Sequence, residues 1–207
     1  MIKTILQITI LFITLFVSGC VKEIKNNDIK TDKVNFALVL HGGAGFIYEG
    51  RYSKEEEEQY IDKINEALKL GYEILENNGS AVDAVETVIR VLEDSPLFNA
   101  GKGAVLNDDG NAELDASIMS GKDLSAGGVA SLKHIKNPIT LARFVMEHSP
   151  HVLMFGDGAE KFADEFGLEK VDNSYFKTDR MLDEYNNLKN KDKASLEHKN
   201  KKYGTVG

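Results

Sequence analysis

The chain has 207 residues, of which 42% are hydrophobic, enough to bury one sizeable core and short for two. Its formal net charge of -8 leaves no general basic field of the kind that neutralises phosphates, which argues against nucleic acid as a partner. The single cysteine, Cys20, excludes an intrachain disulfide and any paired-cysteine metal or redox site.

Residues 1–19 carry Lys3 near the amino terminus, an almost unbroken apolar run from Ile5 to Val17, and then small residues. The run is short for a membrane span and ends at a processing-type site, so it reads as a secretory signal. The ending Val17-Ser18-Gly19-Cys20 resembles the lipobox of bacterial lipoproteins. That resemblance implies lipid on Cys20, which becomes the first mature residue, and tethering to a membrane of the bacterial cell envelope, on its periplasmic side or at the cell surface. Residues 20–33 are polar and aperiodic and suit a solvated tether, leaving one domain over 34–207.

The domain opens with Val34 to Leu40, a short apolar run rich in strand formers that reads as a buried strand. Ser53 and Glu56 form a capping box for a helix whose apolar face is Ile61, Ile64, Leu68 and Leu75, and Asn78-Gly79 closes it. A second helix starts after Ser80, with Ala81, Val82, Val85, Val88, Ile89 and Leu92 expected on its buried side. Strand character follows at Ala104 to Leu106, across a turn at Asp108-Asp109-Gly110, at Glu113 to Met119, and again at Gly127 to Leu132. Pro138 opens a helix to Glu147, His151 to Phe155 is a brief strand, and Gly158 to Phe166 is a short helix. From about Asp172 to Lys202 the chain is polar and lysine-rich, and a mobile surface loop is expected.

Several stretches could carry chemistry. His41-Gly42-Gly43-Ala44-Gly45 follows the first strand, where glycines let backbone amides approach a reacting group, or simply make a tight turn. An esterase reading of that loop would need a GxSxG elbow, and the chain has none. The bent segment LEDSPLFNAGKGA, residues 92–104, can turn carbonyls toward a cation or merely form a corner. Gly204-Thr205 offers a hydroxyl that becomes a competent nucleophile if cleavage of the preceding bond frees its own α-amine as base; otherwise it is a β-branched residue in a strand.

Together HGGAG at 41–45, LEDSPLFNAGKGAVLNDDGNAELDASIMSG at 92–121, SPHVLMFGDGAEKFA at 149–163 and GTVG at 204–207 resemble the plant-type asparaginases, also called isoaspartyl peptidases, among the N-terminal nucleophile hydrolases. The resemblance implies an α/β fold of the four-layer αββα type, incomplete in this chain, and a precursor that cuts itself into α and β subunits. It implies that Thr205 is the nucleophile, Gly204 the donor of the cleaved carbonyl, and Gly42 and Gly43 a loop beside that bond, with Asn99 helping to polarise it. It further implies a structural sodium ion on the main-chain oxygens of Leu92, Glu93, Ser95, Phe98, Ala100 and Lys102, and no organic cofactor.

The expected activity is hydrolysis of L-asparagine and β-aspartyl dipeptides, with a dimer of αβ units as the assembly. In that family the substrate clamp and the main oxyanion donors belong to the β subunit, so a truncated precursor, inactive by itself and needing a missing β subunit, is the expectation here. The alternatives are a glycosylasparaginase or an inactive lipid-anchored remnant.

Overall fold

The computed structural model describes residues 35–44 and 48–192, with side chains to residue 190. Cys20, Gly45, Gly204 and Thr205 therefore lie outside the described residues, as do the signal, the tether and the start of the first expected strand. By packing, the chain divides into Met1–Ala37 and Leu38–Gly207. Of the first unit only residues 35–37 are described, as extended backbone without strand pairing.

In the second unit, α1 spans Lys54–Glu76 and α2 spans Ala81–Glu93. Both start on reciprocal capping boxes, Ser53 with Glu56 and Ser80 with Asp83, which satisfy backbone N–H groups that a helix start leaves orphaned. Between them Asn78 takes a left-handed conformation (φ 61°), and the Gly79 N–H returns to the Ile74 carbonyl. The helices cross at small residues: Ala67, Gly71 and Ala84 are buried, and a methyl added at Gly71 would lie 2.5 Å from Val88 Cγ2. The expected faces shift accordingly. Ile61 is 56% exposed and Ala81 and Val85 are also exposed, whereas Ala84 and Glu93 are buried.

A three-stranded sheet follows in the order β1 (Leu114–Met119), β2 (Ala126–Leu132), β3 (Leu153–Phe155). β1 and β2 are antiparallel with a bulge between Leu114 and Ala116, and β3 runs parallel to β2. The expected strand at Ala104 to Leu106 reduces to a single bridge between Leu106 and Ala112, because the Asn107 side chain accepts from Asp109 and Asn111 N–H groups and closes the turn itself. Helix α3 (Pro138–His148) enters the parallel connection and packs on β1 and β2, and α4 (Gly156–Glu165) packs on β2. Leu114, Ile118, Val129 and Leu132 point into this helix-covered side and are buried. The alternate residues Asp115, Ser117, Met119, Leu153 and Phe155 are exposed on the opposite face. The fold class is thus α/β, with helices against one side of a small mixed sheet.

Two further expectations are not met among the described residues. Residues 35–40 alternate in exposure as a strand would, and Leu38 and Leu40 pack against the core, but no ladder partner lies among the described residues. The segment from Asp172 is not a loop as far as Asp192: a 3₁₀ turn spans Asn173–Phe176 and α5 spans Asp179–Asp192, while the rest of the expected loop, 193–202, lies outside the described residues. Phe176 is fully buried, and Asn173 accepts from the Ala112 N–H (3.1 Å) while donating to the Ala112 and Lys133 carbonyls (both 2.9 Å). Side chains that bond to backbone hold this polar segment in place of an apolar stripe.

Candidate active site

The glycine loop and the 92–104 loop meet. Gly43 holds φ 110°, a region closed to residues with a Cβ, and its N–H donates to His41 Nδ1 at 3.2 Å. A methyl at Gly42 would sit 3.1 Å from Ile64 Cδ1 and 3.5 Å from Phe98 Cε1, so the glycine lets the loop lie against the Phe98 ring. That ring is 2% exposed and meets the Tyr60 ring edge-on at 5.6 Å. The Tyr60 hydroxyl donates to the Leu97 carbonyl at 2.9 Å. Burial raises the Tyr60 phenol above its ordinary pKa, keeping the donor protonated.

Helix α2 ends where the loop begins. Asp94 N–H donates to the Arg90 carbonyl, Ser95 N–H to the Leu92 carbonyl at 3.2 Å, and Ser95 Oγ accepts from Leu97 N–H at 3.3 Å. Asn99 Oδ1 accepts from Val105 N–H at 2.9 Å and so fixes the loop's exit. Gly101 has φ 48°, and a Cβ there would collide with the Glu93 carbonyl; one at Gly103 would collide with the Phe98 carbonyl and lie 2.8 Å from that of Pro96. The loop is closed so tightly on its own carbonyls that only glycine fits at both places.

The oxygens expected to hold sodium are chemically suited to it. Among the described residues, the Glu93, Ser95, Phe98 and Lys102 carbonyls accept no hydrogen bond, while those of Leu92 and Ala100 each accept one backbone N–H. Neutral carbonyls with lone pairs to spare match a hard monovalent cation. The Lys102 ammonium lies 5.4 Å over the Tyr175 ring, so this residue brings only its backbone to the loop.

The Glu93 side chain has a separate role that its sequence position did not announce. It is 3% exposed, and its Oε1 accepts from Ile139 N–H at 3.0 Å, capping α3 in place of Asn137, whose own side chain makes no cap. Its Oε2 is buried without a partner. Burial pushes this carboxyl up to about 8, against the pull of the Ile139 N–H and of the nearby Asn137 side chain.

Residues 34–207 match the asparaginase family. The chain belongs to that family. Among its relatives, an isoaspartyl peptidase of Salmonella typhimurium is 43% identical over 176 residues, covering 82% of this chain and 56% of the relative. The isoaspartyl peptidase of Escherichia coli is 41% identical over 176 residues, covering 82% and 55%. The human isoaspartyl peptidase/L-asparaginase is 43% identical over 174 residues, covering 84% and 55%. The chain spans about half the length of the curated relatives it matches.

For this asparaginase-family chain the described part of the candidate site is residues 41–44 of the glycine loop and the 92–104 loop with Asn99, which meet at Phe98. Sequence reading missed Tyr60 and Arg180, whose side chains tie the loop's Pro96 and Leu97 carbonyls to α1 and α5. Neither residue stands in a local pattern that could have flagged it.

Proposed function

We propose that the chain supplies the precursor half of an amidohydrolase that cleaves L-asparagine and β-aspartyl dipeptides with Thr205 as nucleophile. The observation that carries this reading is the family match over 34–207, which includes the Gly204-Thr205 bond, together with relatives that bear the name isoaspartyl peptidase or L-asparaginase. The Thr205 hydroxyl first attacks the Gly204 carbonyl, and hydrolysis of the resulting ester frees the Thr205 α-amine. That amine then takes the hydroxyl proton as the oxygen attacks the side-chain carbonyl of the substrate. The C–N bond breaks, ammonia or the downstream amino group leaves with a proton, and water hydrolyses the aspartyl-threonine ester to restore the hydroxyl.

The tight packing of Gly42 on Phe98 supports the placing of Gly42, Gly43 and Asn99 beside the reacting bond, since it brings the glycine loop and the Asn99 loop into one unit. Sodium on the carbonyls of Leu92, Glu93, Ser95, Phe98, Ala100 and Lys102 would hold that loop in shape. The exposed sheet face at Met119, Leu153 and Phe155, each more than half exposed, fits a second sheet laid on it and supports the four-layer αββα sandwich with a β subunit as partner. A dimer of αβ units and lipidation at Cys20, in the bacterial envelope, complete the proposal. No helix among the described residues is long and apolar enough to cross a membrane.

Intact-mass spectrometry of the chain joined to a β half from an isoaspartyl peptidase tests the mechanism. The expected result is a new amino terminus at Thr205, no cut and no activity in Thr205→Ala, and slower cutting in Thr205→Ser, which lacks the methyl that limits the rotamer. An uncut wild type that still hydrolyses asparagine would overturn it.

A further inference from the structure

The segment 173–192 docks along the loop and turn that surround the site. Beyond the Asn173 clasp on Ala112, Lys177 Nζ donates to Asn111 Oδ1 (3.1 Å), the Tyr185 hydroxyl donates to the Asp108 carbonyl (3.0 Å), and the Lys189 ammonium pairs with the Asp108 carboxylate. Met181 is buried at the centre of this contact, beside Val105 and Leu106. These ties hold α5 against the turn at 105–112. Arg180 makes a different connection: one guanidinium nitrogen, Nη2, donates to the carbonyls of Pro96 (2.9 Å) and Leu97 (3.0 Å).

Pro96 and Leu97 stand between Ser95 and Phe98, two of the residues whose carbonyls are proposed to hold sodium. A peptide carbonyl cannot be fixed without fixing the plane it shares with the next residue's nitrogen. Pinning those at 96 and 97 therefore restricts how far the carbonyls at 95 and 98 can turn. Tyr60 pins the Leu97 carbonyl from the α1 side, so α5 contributes the Pro96 bond alone and the Leu97 bond jointly. Helix α5 is also the last described element before the Gly204-Thr205 bond. We infer that Arg180 couples cation binding in the 92–104 loop to docking of α5, so that sodium steadies the segment leading to the cleavage bond and undocking of that segment weakens sodium. The inference rests on the cation reading of the loop. Linkage makes it reciprocal: whatever factor sodium adds to α5 docking, docking adds to sodium affinity.

Hydrogen–deuterium exchange of the full 207-residue chain tests the coupling, comparing sodium chloride with N-methylglucamine chloride at equal ionic strength. In the wild type, sodium slows exchange in residues 92–104 and, with the same concentration midpoint, in residues 180–189. In Arg180→Met the loop still responds, at a sodium concentration roughly five-fold higher or more, the lower end of ordinary coupling, and α5 no longer responds. Tyr185→Phe loses a tie remote from the loop, so it speeds α5 exchange overall while keeping the sodium response. A wild-type loop that responds while α5 does not overturns the coupling and leaves the cation site standing. Silence in both segments overturns the cation site and the coupling with it. An α5 response that survives in Arg180→Met, or is lost equally in Tyr185→Phe, overturns the role of Arg180.

Discussion

Replacing Glu93 by Gln should remove a pH dependence of stability. The carboxyl is buried, its Oε1 accepts one N–H from Ile139, and its Oε2 has no partner, so the folded chain favours the protonated form up to about 8. In the unfolded chain the same group loses its proton near the ordinary glutamate value, about 4.3. Between those values the folded state binds more protons than the unfolded one, so stability falls as pH rises. The slope reaches about 1.4 kcal/mol per pH unit, and over the whole window the loss tops out on the order of 4–5 kcal/mol. The carboxyls of Asp83, Asp123, Glu160 and Asp172 are held below their ordinary values, so their contribution is constant here and is lost only as pH falls through those lowered values. Tyr60, Tyr175 and Lys136 are held above theirs and keep their protons across this window. Gln keeps an oxygen for Ile139 N–H and cannot ionise. Urea midpoints of wild type and Glu93→Gln, measured from pH 5 to pH 8 at fixed sodium, should diverge steadily, the wild type weakening relative to the variant. Parallel curves would refute the argument, because they would mean that Glu93 ionises in the fold as readily as out of it.

Phe98→Ala removes a ring that is 2% exposed and that both Gly42 and Tyr60 pack against, so a loss of about 3–5 kcal/mol is expected from urea denaturation; a loss below about 1 kcal/mol would mean that the two loops are not held together there. Cys20→Ser should abolish incorporation of radiolabelled fatty acid and release the protein from membranes, and label that survives the substitution would remove Cys20 as the anchor.

The first two helices were legible because their signals are local. Ser53 and Glu56 lie three residues apart and bond within the same stretch of chain, and Ser80, expected to start the second helix, caps it together with Asp83. Which side of each helix is buried was less legible. Counting large apolar residues put Ile61 and Val85 inside, but α1 and α2 approach through Ala67, Gly71 and Ala84, where small size permits contact and hydrophobicity gives little warning. The run ending at Leu40 was read as a strand from its composition, yet pairing depends on a partner that composition does not name.

The candidate site divides along the same line. The glycines and the 92–104 segment could be recognised because tight backbone geometry demands particular residues: Gly101 and Gly103 stand where loop carbonyls leave no room for a Cβ. What holds that loop from outside could not, since Tyr60 is 37 residues from Leu97 and Arg180 is 83. The same distance explains why the described part of the segment expected as a loop over 172–202 gave no helical signal. Among its described residues burial is concentrated in Phe176 and Met181, and the remaining attachment is made by Asn173, Lys177, Arg180, Tyr185 and Lys189 reaching to backbone and polar partners elsewhere in the fold. A residue that serves as a donor to a distant carbonyl looks, in sequence, like any solvated polar residue. Polarity in that segment was therefore a record of long-range tethering, and the 92–104 loop is braced by the part of the chain whose composition suggested that it braced nothing.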